Sequence, residues 1–235
     1  VENPPDILTE SDKDVELPPS LAAKWKAEGR YEQEVKELDE FFARTGLPRS
    51  PRHYIMKWHL DWIRDFGVDG FRVDTTKHTE AKIWGELKEL AVDEFERWKK
   101  ANPDKKISDD PFFLTGEVYG YGIQGGQLFG MGGPGEDVNF FENGFDSLIN
   151  FSIKGDAKKT YEELFSEYDS YLNGGPLEGL SVMNYLTSHD DGWPFDKERI
   201  KPFEAATKLM LAPGSAQIYY GDETARGLIV EGTDG

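Results

Sequence analysis

The sequence has no cysteine, so disulfides, thiolate nucleophiles and cysteine-ligated zinc are excluded, and nothing in it reports a redox compartment. It is also poor in positive charge. Against 45 Asp and Glu stand only 27 Lys and Arg, and the net charge of −18 repels phosphate backbones and anionic lipid surfaces, which argues against nucleic acid as a partner. Long hydrophobic runs are missing as well: no apolar stretch approaches the ~18 residues of a spanning helix, so no membrane partner is expected. The first residues, VENPPDILTE, lack the charged and apolar regions of a signal peptide, and any targeting segment is expected outside this sequence.

What is present suits one substantial core: 235 residues, 37% hydrophobic and 13% aromatic. Residues 1–19 carry four prolines among acidic residues and no apolar period, which reads as an irregular surface segment. From Ser20, the residues Leu21, Trp25, Val35, Leu38, Phe41 and Phe42 recur at helical spacing until Gly46 and Pro48, enough for one or two helices. An amphipathic helix follows, with Tyr54, Ile55, Trp58, Trp62, Ile63 and Phe66 expected on its buried face and Gly67 closing it.

A regular alternation then begins. Strands are expected at 68–73, 112–115, 148–151, 182–186 and 216–220, with helices at 80–100, 158–172 and 203–211 between them. Such alternation indicates parallel βαβ units, and charged residues after several successive strands favour a TIM (β/α)8 barrel over a doubly wound sheet, whose ligand sits at one switch point. A closed barrel needs eight strands in ~250 residues. The five expected here correspond to strands 4 to 8, a partial barrel. The division expected is 1–50 as an irregular and helical segment before the barrel part, and 51–235 as the C-terminal part of the barrel.

Three strand ends carry carboxylates. Asp74 closes VDGFRVD, and Arg72, two residues earlier, points to the same side of the strand, where a guanidinium holds a carboxylate ionised. Glu117 follows FFLTG and precedes Tyr119, so apolar walls and a ring able to stack on a sugar surround it, a setting that favours a general acid. SVMNYLTSHDD ends with His189 and Asp190. Each alone has a bland reading, as helix cap, loop acid or structural His-Asp pair, and those readings outweigh or equal the catalytic one until all three are taken together. Hydrolysing a glycosidic bond requires a proton donor and a carboxylate facing the anomeric carbon, and in a barrel both come from the carboxyl ends of different strands.

These segments, in this order, resemble the signature regions of the α-amylase family of glycoside hydrolases: GFRVDTTKH its nucleophile region, GEVY its acid/base region and SHD its third-carboxylate region. Further similarity to the bacterial periplasmic members runs through RWKKANPDK, DDPFFLTGEVYGYG, FDSLINF, YLTSHD and LAPGSAQIYYGDE, covering roughly 51–226. The resemblance implies Asp74 as nucleophile, Glu117 as proton donor and base, Asp190 as the acid gripping sugar hydroxyls, and Arg72 as the group orienting the nucleophile. It also implies substrate contacts at Lys77, His78, Tyr119 and His189, with Tyr121 as a further subsite wall, and no catalytic part for Asp222 and Glu223. Ser188 departs from the family, where many members have Asn.

The family's earlier signature, an Asp followed shortly by Asn-His, is not found among His53, His59, His78 and His189, so a partner role for the N-terminal part of the barrel is expected. His53 and His59 read as surface or packing residues of their helix. The resemblance further implies structural Ca²⁺ for the complete protein, to which this sequence would contribute the backbone carbonyl of His78; calcium takes several oxygen ligands. It implies a periplasmic or secreted location. The glycines of GMGGPG, Gly130 to Gly135, fit a dinucleotide-binding pattern but are read as a loop rimming the barrel, because no strand-turn-helix surrounds them and Pro134 intrudes.

The function expected is retaining endo-hydrolysis of α-1,4-glucosidic bonds in starch, glycogen and maltodextrins, with an α-glucan as partner. Two readings compete. One keeps the acids but performs transglycosylation or cleaves α-1,6 bonds; the other is a non-catalytic glucan-binding or structural fragment, whose barrel part exposes sheet edges unless another chain covers them.

Overall fold

The structure is a computed structural model and describes residues 8–133, 136–190 and 193–227. It divides into two compact units, Val1–Asp69 with Lys82–Phe112, and Gly70–Ala81 with Phe113–Gly235. The expected irregular segment is irregular over the part described, 8–18.

The first unit is helical. Helix α1 (Pro19–Ala27) and α2 (Tyr31–Thr45) divide the first periodic run, and α3 (Pro51–Phe66) opens with a proline where its missing N–H costs nothing. Gly67 ends α3 at φ 69°, its N–H closing 2.8 Å from the Ile63 carbonyl. A Cβ there would lie 2.2 Å from the Trp98 indole, so only glycine fits. Helix α4 (Ala81–Ala101) supplies Ile83 and Leu87, which pack with Met56 of α3.

The buried stripe of α3 is rotated from the one expected. His53, Tyr54, Met56, Lys57, Leu60 and Ile63 are buried, whereas Trp62 and Phe66 are 57% and 69% exposed and touch each other at 5.4 Å between ring centroids. Hydrophobicity pointed to the wrong side because His53 and Lys57 are buried as satisfied polar groups. His53 bonds Glu86 at 2.8 Å through Nε2, and Lys57 donates to Asp61 at 2.8 Å and Glu37 at 3.2 Å. His59, by contrast, is exposed.

The second unit is built on a parallel sheet of β1 (Gly70–Val73), β2 (Phe113–Gly116), β5 (Ser147–Asn150), β6 (Ser181–Asn184) and β7 (Ser215–Ala216), in that spatial order. Between β2 and β5 the short strands β3 (Phe129–Gly130) and β4 (Asp137–Val138) pair antiparallel. The glycine-rich run is thus part of a hairpin rather than a plain loop, with Pro134 and Gly135 outside the described residues. Strand order follows chain order without reversal, so the sheet has no switch point and the doubly wound alternative fails.

All five strands lie within two residues of the expected starts, but the last extends only over 215–216 rather than 216–220. Among the described residues its one neighbour in the sheet is β6, and the ladder closes with the Gln217 N–H on the Asn184 carbonyl at 2.8 Å; no second described strand pairs with it to extend it. The helix expected at 158–172 is α6 (Tyr161–Leu172), three residues shorter at its start, and an unexpected short helix, α5 (Ile153–Asp156), precedes it. Thr160 forms a capping box with Glu163, which starts α6 there. Helix α7 (Pro202–Leu211) matches its expectation to within a residue.

Register decides which side chains share a face. Val73, Leu114, Leu148 and Val182 are buried on one side. On the other, Arg72, Thr115, Ser147 and Ser181 form one row across four strands. Two residues further on, the period of a strand brings Asp74 and Glu117 to that same face. Deep between β5 and β6 the fully buried Asn150 amide donates at 2.9 Å to both Asn184 Oδ1 and the Tyr168 hydroxyl, and its Oδ1 accepts from the Ile123 N–H at 3.1 Å. These bonds pin the loop after β2 to the sheet, at a cost in desolvation that only full pairing offsets.

Candidate active site

The first residue beyond each strand of the sheet is Asp74, Glu117, Phe151, Tyr185 and Gln217 in turn. Four of these line one cleft of the second unit, together with Arg72, Tyr119, Ile149, Lys154, Ser188, His189, Asp190 and Trp193. Parallel strands in register end at the same level, so their carboxyl ends converge without any local signal to bring them there.

Asp74 is not part of the cleft wall, but it is tied to it. The Arg72 guanidinium bonds the Asp74 carboxylate through one amino group and lies 3.0 Å from Glu117 Oε2 through the other. One cation thus holds two carboxylates of neighbouring strand ends. Asp74 is 65% exposed at its side chain and Glu117 only 11%, so the same cation faces water on one side and protein on the other. The hydrogen bond from Arg72 keeps Asp74 below its ordinary pKa of 3.8; a hydrogen bond with Glu117 and the charge of His189 act in the same direction.

Backbone geometry fixes Glu117 closely. Its N–H donates to the Val73 carbonyl at 2.8 Å, its carbonyl accepts from Thr76 at 2.9 Å, and Oε2 accepts from the Thr75 N–H at 3.2 Å. Gly116 allows this approach: a Cβ there would sit 2.7 Å from the Phe145 ring and 3.0 Å from Thr76 Oγ1.

The third segment supplies His189 Nε2 at 2.8 Å from Asp190 Oδ2, both side chains 61% exposed, and Asp190 receives further order from its N–H on Ser188 Oγ at 3.3 Å. Lys77 donates to the Tyr119 carbonyl at 3.1 Å and lies 5.5 Å from the centre of its ring. His78 ends the 3₁₀ turn Thr76–His78 and is exposed, outside the cleft lining.

Two expectations change. Tyr121 is buried rather than a subsite wall; its hydroxyl donates to the Gly126 carbonyl at 2.7 Å, and burial pushes its pKa up. Phe151, Lys154, Tyr185, Trp193 and Gln217 line the cleft and had not been expected there. A signal did exist, since Phe151, Tyr185 and Gln217 hold the same position after their strands as Glu117 does, but the expected strands ran past their observed ends at Asn150, Asn184 and Ala216 and so took in all three residues. Asp222 is occupied structurally, paired with Arg199 and bonded by the Thr187 hydroxyl.

Among the described residues no group of three or more His, Asp or Glu side chains converges as a metal site. The side chains of the described residues therefore do not by themselves fit a calcium ion, which takes six to eight oxygens. No helix among the described residues is long and apolar enough to cross a membrane.

No family model matches the chain. It is 36% identical over 231 residues to the periplasmic alpha-amylase of Escherichia coli, covering 98% of this chain and 30% of that protein. It is 30% identical over 178 residues to an alpha-amylase of Streptomyces lividans, covering 71% of this chain and 18% of that one. The chain therefore spans less than a third of the length of either relative. In fold it matches the alpha-amylase of Geobacillus thermoleovorans, solved in complex with acarbose, with a TM-score of 0.53 at 20% identity over 77% of this chain and 40% of that chain. The sheet is accordingly part of a (β/α)8 barrel, covering roughly its strands 4 to 8, and the chain belongs to the α-amylase family of glycoside hydrolases.

Proposed function

We propose that the protein containing this chain hydrolyses α-1,4-glucosidic bonds within starch-like glucans, with retention at the anomeric carbon. The observation that carries this reading is the single Arg72 guanidinium holding Asp74 and Glu117 at neighbouring strand ends, beside a cleft that Asp190 also lines. The two carboxylates differ in exposure, 65% for Asp74 and 11% for Glu117, which supports giving them different roles.

In the proposed cycle Asp74, kept ionised by Arg72, attacks the anomeric carbon while Glu117 protonates the leaving oxygen. Glu117 then takes a proton from water, which releases the glycosyl group from Asp74. Asp190 and His189 bind hydroxyls of the sugar whose ring flattens in the transition state. Lys77 holds the Tyr119 carbonyl and so helps fix the stacking ring. The relatives' names, one of them periplasmic, support an α-glucan substrate and a periplasmic location.

Calcium enters this reading only as an ion completed by residues beyond this chain, with the His78 carbonyl as one ligand; no step passes through it. The test is NMR of the anomeric protons released from amylose by the full-length protein. Retained α-configuration supports the assignment. Inverted product would mean carboxyls more than about 6.5 Å apart and would sink it. Glu117→Gln should lower kcat at least ~100-fold, and equal release by that variant would expose a contaminating activity.

A further inference from the structure

Behind the acid runs a chain of three aromatic rings. Tyr119, two residues after Glu117 and 67% exposed, meets Phe151 edge to face at 5.3 Å between centroids and 69°. Phe151 in turn meets Tyr185 at 5.7 Å and 83°, and Tyr185 is 3% exposed. The run therefore begins in the core and ends in the open cleft. Each ring comes from a different strand end: after β2, after β5 and after β6.

An exposed ring on a loop samples several rotamers, and a sugar that stacks on it must first select one. Here that selection is already made. Phe151 and Tyr119 meet edge to face, while Lys77 lies over the Tyr119 ring at 5.5 Å and bonds its carbonyl at 3.1 Å. Phe151 is held in turn: its N–H donates to the Tyr121 carbonyl at 2.8 Å, and Tyr185 packs edge to face on its ring.

We propose that Phe151 is a positioning residue that transmits the rigidity of the sheet to Tyr119, presetting that ring as a platform for the apolar face of a glucosyl unit next to Glu117. This rests on the α-glucan reading above. Because Glu117 protonates the leaving oxygen, the unit concerned is the one on the leaving-group side. Phe151 makes no bond to reacting atoms, so its removal weakens substrate binding and leaves the chemical step nearly intact.

The test uses the full-length protein and a linear α-1,4 pentasaccharide of glucose. Phe151→Leu should raise KM about tenfold, the order of an aromatic pair's contribution, with kcat within about twofold. Phe151→Tyr, which keeps the ring edge, should restore KM to within about twofold of wild type. Tyr119→Ala should raise KM by a similar factor, and adding Phe151→Leu to it should change nothing more, because both act through one contact. Should the leucine variant fail to fold, Phe151→Met fills the space without a ring and takes its place in the same measurements.

An unchanged KM in Phe151→Leu, a loss confined to kcat, or full additivity with Tyr119→Ala overturns the proposal. Calorimetry of the same sugar on Glu117→Gln separates the two levels of inference. If the sugar binds and wild type cleaves it while Phe151→Leu behaves as wild type, only the role of Phe151 falls. If wild type neither binds nor cleaves it, the functional reading falls and takes this one with it.

Discussion

Each unit of this chain contains a cation held between two carboxylates, and the pair of clusters separates structural from chemical use of the same groups. In the helical unit, Lys57 of α3 lies 2.8 Å from Asp61 and 3.2 Å from Glu37, with its own side chain only 2% exposed. In the sheet unit, Arg72 joins Asp74 and Glu117 while 36% exposed. Burial raises the pKa of Asp61, whereas Arg72 lowers that of Asp74. Ion pairing therefore does not by itself mark a site. What distinguishes the second cluster is a carboxylate left open to water at a level where several strands end.

Substitution of the two cations should break this comparison in opposite ways, and these are the largest effects expected. Lys57→Ala removes the buried partner of Asp61 and Glu37, which keep Arg64 at 2.8 and 3.0 Å, and should cost about 1.5–3 kcal/mol of stability, the order of charge-assisted hydrogen bonds lost. Urea unfolding of the full-length protein reads this, with KM for glucan unchanged. Arg72→Ala should instead lower kcat by about 100-fold or more through loss of electrostatic preorganisation, with a thermal midpoint close to wild type. If both variants lost mainly stability, the distinction drawn between the clusters would be wrong.

The pH profile sharpens the same contrast more modestly. The proposed attack requires Asp74 ionised, and its pKa is depressed, so its charged form persists below pH 3.8 and is lost only as pH falls through that lowered value. Removing Arg72 raises the pKa, and the acid limb of the residual kcat/KM should move up in pH. A limb that stays in place or moves down would show that Arg72 does not control this carboxylate. The smallest effect concerns a feature far from either cluster. Thr160→Ala removes one arm of the capping box of α6 and should cost ~1 kcal/mol with kcat unaffected, measured by thermal melting and a starch assay.

Much of the fold was legible because it is local. The glycines at 46 and 67 and the β-rich runs before Asp74 and after Ser181 announce element ends within a residue or two. The buried face of α3 was not legible, since His53 and Lys57 are buried by partners on other helices that a hydrophobicity pattern does not see. The same limit explains the cleft. Three carboxylates stood out only when taken together, as acids ending three different strands, whereas Phe151 and Tyr185 fell inside the expected strands 148–151 and 182–186. Tyr121 was misplaced for a related reason: two residues from Tyr119 it carries the same kind of ring, but the turn after β2 sends it inward to Gly126.

The sequence by itself determined the alternation of strands and helices, the order of the acidic segments and the family, because these depend on residue type and spacing along one dimension. Only the tertiary structure decided that Arg72 grips both Asp74 and Glu117, that Phe151 and Tyr185 stand behind Tyr119, and that Lys57 belongs to the interior. The physical reason is register. Which side chains meet across parallel strands depends on how far each strand is shifted against its neighbour, and that shift is fixed by packing and backbone hydrogen bonds between segments 30 or more residues apart rather than by any residue alone.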